Sequence, residues 1–288
     1  MHLLDRLRVH YPDSSTRARK QWLAAGRVRV NGQIVRHSNA ELRAEDRVDL
    51  GAPTPVFPAL LRLVHEDPDL IVIDKPPGLL TIATAHERER TAYRMLSEYL
   101  AARSGFAPPG GRASRGGRGS RRGRVFIVHR LDRETSGLIC FATSVESKQA
   151  LQAQFAARSV RRVYVAVVEG SVQKDEGVLT DRLAEDRSLR VRPTGDQRRG
   201  QEAITRYRVL ERRRFTTLVE LSLVTGRRGQ LRVQLANAGH PIVGDHDHGS
   251  RRDPVRRLCL HATRLGFRHP RGHAVEFASP APEAFRRV

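Results

Sequence analysis

The spacing of apolar positions changes along the chain, and the changes divide it. In HLLDRLRVHY, Leu3, Leu4, Leu7 and Val9 recur at helical spacing. A turn at Pro12-Asp13 follows, and Ser14 and Ser15 can cap a second helix, TRARKQWLAA, which Gly26 stops. In RVRVNGQIVR, Val28, Val30, Ile34 and Val35 flank Asn31-Gly32, a pair that accepts the left-handed backbone of a two-residue hairpin. DRVDL adds another alternating strand. Helix, helix, hairpin and strand over residues 1–51 predict a small αβ module. Residues 52–58 hold three prolines and read as a linker.

From residue 59 the pattern is mostly that of strands. LRLVHEDPDLIVID predicts a strand, a turn at Asp67-Pro68 and a buried strand, which Lys75-Pro76-Pro77-Gly78 breaks. TAYRMLSEYLAAR predicts a helix. VFIV (125–128) and GLICFA (137–142) read as strands, separated by Asp132 and a Thr-Ser-Gly turn. Thr143-x-x-Glu146 has the form of a capping box opening the helix ESKQALQAQFAAR. RRVYVAVVEG, AITRYRVLE, TTLVELSLVTG, LCLHATRLGF and HAVEFA follow as strands, and QLRVQLANAG as a helix closed by Gly239. Many strands with few helices and no βαβ rhythm predict an α+β fold on a mixed, mainly antiparallel sheet.

Composition adds a partner. There are 52 Lys and Arg against 31 Asp and Glu, a formal net charge of +21. A polyanion, most simply nucleic acid, fits that balance, with an anionic membrane surface as the competing reading. Residues 103–124 carry seven Arg, seven Gly and no carboxylate. Such a segment cannot bury a core; it reads as a disordered basic insertion suited to phosphate, or as a surface-loop insertion. No apolar run reaches spanning length and no signal-peptide core opens the chain, so a cytoplasmic protein is expected. Cys140 and Cys259 sit alone in apolar runs and read as reduced core residues rather than zinc ligands. Neither a P-loop nor a G-x-G-x-x-G run is present, and no cofactor is expected. Asp245-His246-Asp247-His248 has metal-ligating residue types, but adjacent residues in one run rarely converge on one ion, and no metal is assigned.

The chemistry centres on VHRLDRETSGL. Asp132 lies between Arg130 and Arg133 on a loop joining two apolar strands. Adjacent guanidinium groups favour the ionised carboxylate, and a carboxylate shielded from bulk water is a usable nucleophile or base. The alternative is a surface aspartate paired to a neighbouring arginine.

The string His129 to Leu138 resembles the signature of the RluA-type pseudouridine synthase family. EDPDLIVIDKPPGLL, the Arg-Arg-Val-Tyr ending at Tyr164, TGRRGQLRV (225–233), GHPIVGD (239–245) and LCLHATRLGFRHP match further family motifs in order. The N-terminal module resembles the S4 RNA-binding domain through its Ser-Ser-Thr-Arg helix start and its G-R-V-x-V-N-G hairpin. Together the resemblances span nearly the whole chain. They imply a pseudouridine synthase fold and isomerisation of RNA uridine without a cofactor, with ribosomal RNA of the large subunit the expected substrate and tRNA the other candidate; the sequence does not give the oligomeric state, and a monomer is the default expectation. They imply Asp132 as nucleophile, Tyr164 as active-site tyrosine and Arg232 as basic partner of the aspartate, able to hold it in bidentate fashion. His129, Arg130, Arg133, Thr135 and Arg227 are expected to shape the loop and meet RNA. Arg17, Arg19 and Lys20 are expected to present a basic face on the second helix. The chain departs from the family pattern at Gly229 and Gln234, where His is usual, and at His248, where Tyr is usual. A non-catalytic RNA-binding protein on the same scaffold and a metal-dependent nuclease remain the competing functions at this point.

Overall fold

The computed structural model describes residues 1–51, 56–85, 87–104, 124–186, 190–196 and 198–288. The basic segment 103–124 therefore lies almost wholly outside the described residues. The chain divides into two compact units. One is built on Met1–Phe57, with the end of the third helix from Ser97 grouped with it; the other is built on Pro58–Leu96 and Arg124–Val288.

The N-terminal unit contains α1 (Leu3–His10), α2 (Thr16–Ala24) and a three-stranded antiparallel sheet of β1 (Val28–Val30), β2 (Gln33–Ile34) and β3 (Val48–Leu50), ordered β2-β1-β3. Leu3, Leu7, Leu23, Val28, Leu42 and Val48 form its core. Ser15 caps α2, its hydroxyl accepting from the Ala18 amide at 3.1 Å. Asn31 and Gly32 turn the hairpin at φ +52° and +84°. The expected basic face needs correction. Arg19 lies four residues from Leu23, on the same helix face, and only 6% of it is exposed. Its guanidinium donates to the hydroxyls of Ser14 (3.4 Å) and Thr16 (3.2 Å). Arg17 and Lys20 stand in solvent without it.

The second unit is organised on an eleven-stranded sheet. Its elements are β4 (Arg62–Glu66), β5 (Leu70–Lys75), the first turns of α3 (Ala92–Ser104), β6 (Phe126–Ile127), β7 (Ser136–Ala142), α4 (Val145–Ala156), β8 (Arg161–Glu169), β9 (Glu176–Glu185), β10 (Val191–Pro193), β11 (Gln201–Arg212), β12 (Thr216–Leu223), α5 (Gln230–Asn237), β13 (Leu260–Arg268) and β14 (Ala274–Ala278). The main path runs β10-β9-β11-β12-β8-β13-β7-β5-β4, with β14 on β13 and β6 on β7. Every pairing is antiparallel except β13 with β7. The central strands β5, β7 and β8 are buried along most of their length, which is why they read as continuous apolar runs. Leu151 of α4 closes a core with Leu70, Val72, Leu138, Cys140 and Phe267.

Two local expectations change. The Thr-Ser-Gly expected as a turn runs into a strand, because Ser136 and Gly137 already pair with His261 and Ala262 of β13. Gly137 sits at φ +113°, and a Cβ there would lie 2.3 Å from the Ala262 carbonyl oxygen, so the approach of the two strands requires glycine. The cap of α4 is Ser144, whose hydroxyl accepts from the Ser147 amide at 3.0 Å. Thr143 instead donates to the Pro68 carbonyl at 2.5 Å. Cys140 and Cys259 are buried and unpaired. No helix among the described residues is long and apolar enough to cross a membrane.

Candidate active site

Asp132 lies on the loop between β6 and β7, and that loop is pinned from below. The Thr81 hydroxyl donates to the Leu131 carbonyl (2.8 Å) and accepts from the Leu131 amide (3.2 Å). The Gly78 amide donates to the Arg133 carbonyl at 2.9 Å, and the Arg133 Nε donates back to the Gly78 carbonyl at 3.2 Å. Between them sits Lys75, a side chain with no exposed surface. Its Nζ donates to the carbonyls of Pro76 (2.9 Å), Leu79 (2.8 Å) and Arg133 (3.0 Å). Burial pulls this amine down to about 7, against the opposing charges of Glu134 and Asp132. The Lys-Pro-Pro-Gly run that breaks β5 is thus the clamp on the Asp132 loop. Its signal in the sequence was a lysine ending an apolar strand.

Asp132 is half-buried. It opens onto a cleft of about 470 Å³ that Thr135, Tyr164, Arg162, Leu223, Leu260 and Arg232 also line. Among the described residues its carboxylate accepts no hydrogen bond and makes no ion pair. Thr135 is buried, and its amide donates to the Asp132 carbonyl at 3.2 Å. Tyr164, on β8 between β12 and β13, is 7% exposed, and burial, reinforced by Asp132, pushes its phenol up to about 12.

Arg232, on α5, reaches the same cleft but holds a different acid. Its Nε donates to Asp245 Oδ2 (2.8 Å) and its Nη2 to Asp245 Oδ1 (2.6 Å), with a longer contact to Asp247 (3.2 Å). The expected bidentate grip on Asp132 is therefore corrected: Asp245 takes the fork, and Asp132 acts on Arg232 only through space. Burial would push the Asp245 carboxyl up, but the hydrogen bonds from Arg232 and His248 overcome it and hold the group below the ordinary carboxylate range.

The remaining expected residues divide by position. The Nε2 of His129 accepts from the Cys140 amide (3.1 Å), and its ring stacks on Phe155 at 4.7 Å. Burial, helped by Arg162, pushes it down to about 3, so it is a neutral wall of the cleft. Arg130 and Arg133 are exposed at the mouth. Arg227 is half-buried, and its Nε donates to the Glu202 carbonyl at 3.1 Å. Arg17, Arg19 and Lys20 belong to the N-terminal unit. Sequence reasoning passed over Arg162, which lines the cleft over the Phe155 ring at 5.6 Å and donates to the Thr225 carbonyl at 3.2 Å.

The three departures from the family pattern have different consequences. Gly229 is the N-cap of α5 at φ +60°, a left-handed position, and it lines the cleft. Gln234 is buried away from it, bonded to Thr205 (2.7 Å) and Asp181 (2.9 Å), so that change concerns packing of α5 against β9 and β11. The Nδ1 of His248 lies 2.9 Å from Asp245 Oδ1. The side chains of the Asp245–His248 run are taken up by polar contacts: Asp245 and Asp247 with Arg232, His246 with Asp253 and His248 with Asp245. Asp67, Asp69 and His269 form another potential ligand grouping, but Asp67 caps a turn and accepts from His269, while Asp69 accepts from Arg271.

A mixed sheet presenting one uncommitted carboxylate beside a buried tyrosine and a cleft arginine, with a basic rim, suits an enzyme that acts on nucleic acid. Residues 69–237 match the RNA pseudouridylate synthase family, and residues 4–48 match the S4 domain. A Bacillus subtilis relative, uncharacterized RNA pseudouridine synthase YlyB, is 34% identical over 92% of this chain and 85% of its own length. The ribosomal large subunit pseudouridine synthase D of Pseudomonas aeruginosa is 32% identical over 96% of this chain and 87% of its own. The solved structure of human RNA pseudouridylate synthase domain containing 4 has the same fold, with a TM-score of 0.62 at 23% identity, covering 78% of this chain and 90% of the human one. The chain belongs to the RNA pseudouridylate synthase family. The non-catalytic and nuclease alternatives give way to that membership.

Proposed function

We propose that this enzyme isomerises uridine in ribosomal RNA of the large subunit, with Asp132 as the reacting carboxylate. One observation carries the assignment of the residue: in a chain of 52 basic side chains, the Asp132 carboxylate alone faces the cleft without a hydrogen bond or ion pair among the described residues. A carboxylate tied to a guanidinium would be a weaker nucleophile or base than one left free. The RNA class is supported by relatives named for the large ribosomal subunit and by the S4 match.

The target base must leave its stack to reach the cleft, at a cost of a few kcal/mol. Arg130, Arg133 and Arg227 at the rim would neutralise phosphates on either side, and Arg17 and Lys20 would add contacts from the S4 unit. Inside, Asp132 assists cleavage of the bond from N1 of uracil to C1′ of ribose. The base turns, C5 bonds to C1′, the C5 proton is lost and N1 gains a proton, so the reaction balances without oxidant or reductant. The Tyr164 phenol, held well above neutral, keeps its proton at neutral pH and can donate a hydrogen bond to the uracil while its ring packs against it. Thr135 and the neutral His129 complete the walls.

The test is tritium release from C5-labelled total RNA of cells lacking the protein, comparing wild type with Asp132→Asn. Release by wild type alone is expected. Equal release by both proteins would overturn the role of Asp132, and label lost from tRNA but not from ribosomal RNA would overturn the substrate class.

A further inference from the structure

Among the described residues six arginines line the cleft with one carboxylate, Asp132, and four of the six are accounted for. Arg232 is bonded to Asp245 and Arg228 to Glu185. Arg227 donates to the Glu202 carbonyl, and Arg130 stands in solvent at the mouth. Arg158 and Arg162, at the corner between α4 and β8, make no ion pair among the described residues. Arg162 is half-buried, on the face of β8 that also carries Tyr164. Its Nη2 donates to the Thr225 carbonyl at 3.2 Å, while its Nε is enclosed without a partner. Burial pulls the group below its ordinary value, and only Tyr164, not a carboxylate, opposes the fall. The guanidinium lies over Phe155 at 5.6 Å and against Gly226, where a Cβ would come within 2.3 Å of Nη1. It is thus held in place, partly desolvated and without a counter-charge.

Arg158 adds an independent sign. It is the first residue past the α4 cap and turns the chain at φ +56°. The Arg158 amide donates to the Phe155 carbonyl (3.2 Å) and the Ser159 amide to the Gln154 carbonyl (3.0 Å), the bond pair of a Schellman ending. Glycine fits that left-handed position without strain, whereas an arginine there costs stability. The strained residue is exposed and lines the cleft. Of the groups an RNA strand carries, only the phosphodiester is anionic at neutral pH, and its oxygens match the guanidinium fork. We propose that Arg158 and Arg162 form a phosphate subsite within the cleft, which grips the phosphodiester beside the extruded uridine and so positions the base against Tyr164. The inference rests on the reading of the protein as an enzyme that extrudes a uridine; it does not depend on the RNA being ribosomal or on the role of Asp132.

The full chain is assayed by single-turnover tritium release from C5-labelled total RNA of cells lacking it, across enzyme concentration and from about 50 to 200 mM salt. The half-saturating enzyme concentration reports the productive complex, and the plateau rate reports the chemistry. Arg162→Gln is expected to raise half-saturation about tenfold, leave the plateau within about threefold, and lower the slope of log half-saturation against log salt by about 1. Arg162→Lys, which keeps the charge, should retain the slope. Gly226→Ala, whose backbone lies outside the left-handed region, should push the guanidinium aside and raise half-saturation in the same direction. Arg158→Gly gives the sharpest contrast: half-saturation should rise about tenfold while the Tm rises by about 2–4 °C. A plateau that falls in Arg162→Gln with half-saturation unchanged would overturn the proposal and assign the guanidinium to the departing uracil. So would a raised half-saturation with an unchanged slope, the mark of stacking on a base, or an unaltered half-saturation in Arg158→Gly. If Arg162→Gln does not fold, Gly226→Ala and Arg158→Gly decide the matter. If the wild type releases no tritium, that failure belongs to the proposed function, and filter-binding slopes of the same variants over the same salt range decide the subsite.

Discussion

Lys75→Met isolates what a buried amine contributes to the loop that carries Asp132. The native Nζ is wholly enclosed and donates to three carbonyls, one of them on Arg133 next to Asp132. Burial pulls its pKa from 10.5 to about 7. For a base, a folded value below the unfolded one means that the unfolded chain binds more protons between about pH 7 and 10.5, so stability rises with pH across that window. From pH 6 to pH 9 the gain works out at roughly 2.5 kcal/mol, using 1.36 kcal/mol per tenfold change. Methionine has no proton to lose, so the unfolding free energy of wild type minus that of Lys75→Met should become more favourable to wild type by that amount. Urea titrations followed by far-ultraviolet circular dichroism at pH 6, 7.5 and 9 measure the difference. Fluorescence is the wrong probe, because the single tryptophan, Trp22, lies in the other unit. A difference that stays flat to within about 0.5 kcal/mol, well inside the predicted linkage, refutes the reasoning. It would mean that the three carbonyls hold the ammonium's proton as firmly as water does.

Four further substitutions follow from the geometry. Gly137→Ala places a methyl 2.3 Å from a backbone oxygen at a left-handed φ, and should cost about 3 kcal/mol or more, lowering the Tm of the catalytic unit by about 6–12 °C; a soluble variant with the native Tm contradicts it. Arg17→Ala and Lys20→Ala should each reduce the slope of log affinity against log salt by about 1 without changing Tm. Arg19→Ala should leave that slope unchanged and destabilise the N-terminal unit, since its guanidinium is bonded to Ser14 and Thr16 at the start of α2; a slope change for Arg19→Ala equal to that for Arg17→Ala would reverse the assignment.

The elements legible in the sequence were those whose pattern is local. The Asn31-Gly32 hairpin, the Ser15 cap and the enclosed apolar strands β5, β7 and β8 carry their own signals. The strands β9 and β10 were not anticipated. Their burial is partial and interrupted, as befits the outer part of a sheet, and only pairing defines them, β9 with β11 and β10 with β9. The α4 cap moved by one residue because Thr143 has a competing acceptor in Pro68, 75 positions away in sequence.

The site divides along the same line. Asp132, Tyr164 and Arg232 were named from motifs, and the fold brings all three to one cleft. Which acid Arg232 holds was not legible. Charge adjacency in a string says only that opposite charges are available, and this chain offers a guanidinium many carboxylates. The choice is made by rigid placement: Asp245 is fixed by its own turn thirteen residues beyond Arg232 and is wholly enclosed, so its charge has little water to fall back on and must be paired. Asp132 is half-open, and water can solvate it until a nucleotide arrives. An enclosed acid therefore outcompetes an open one for the arginine. The same desolvation that ties Asp245 to Arg232 is what leaves Asp132 uncommitted.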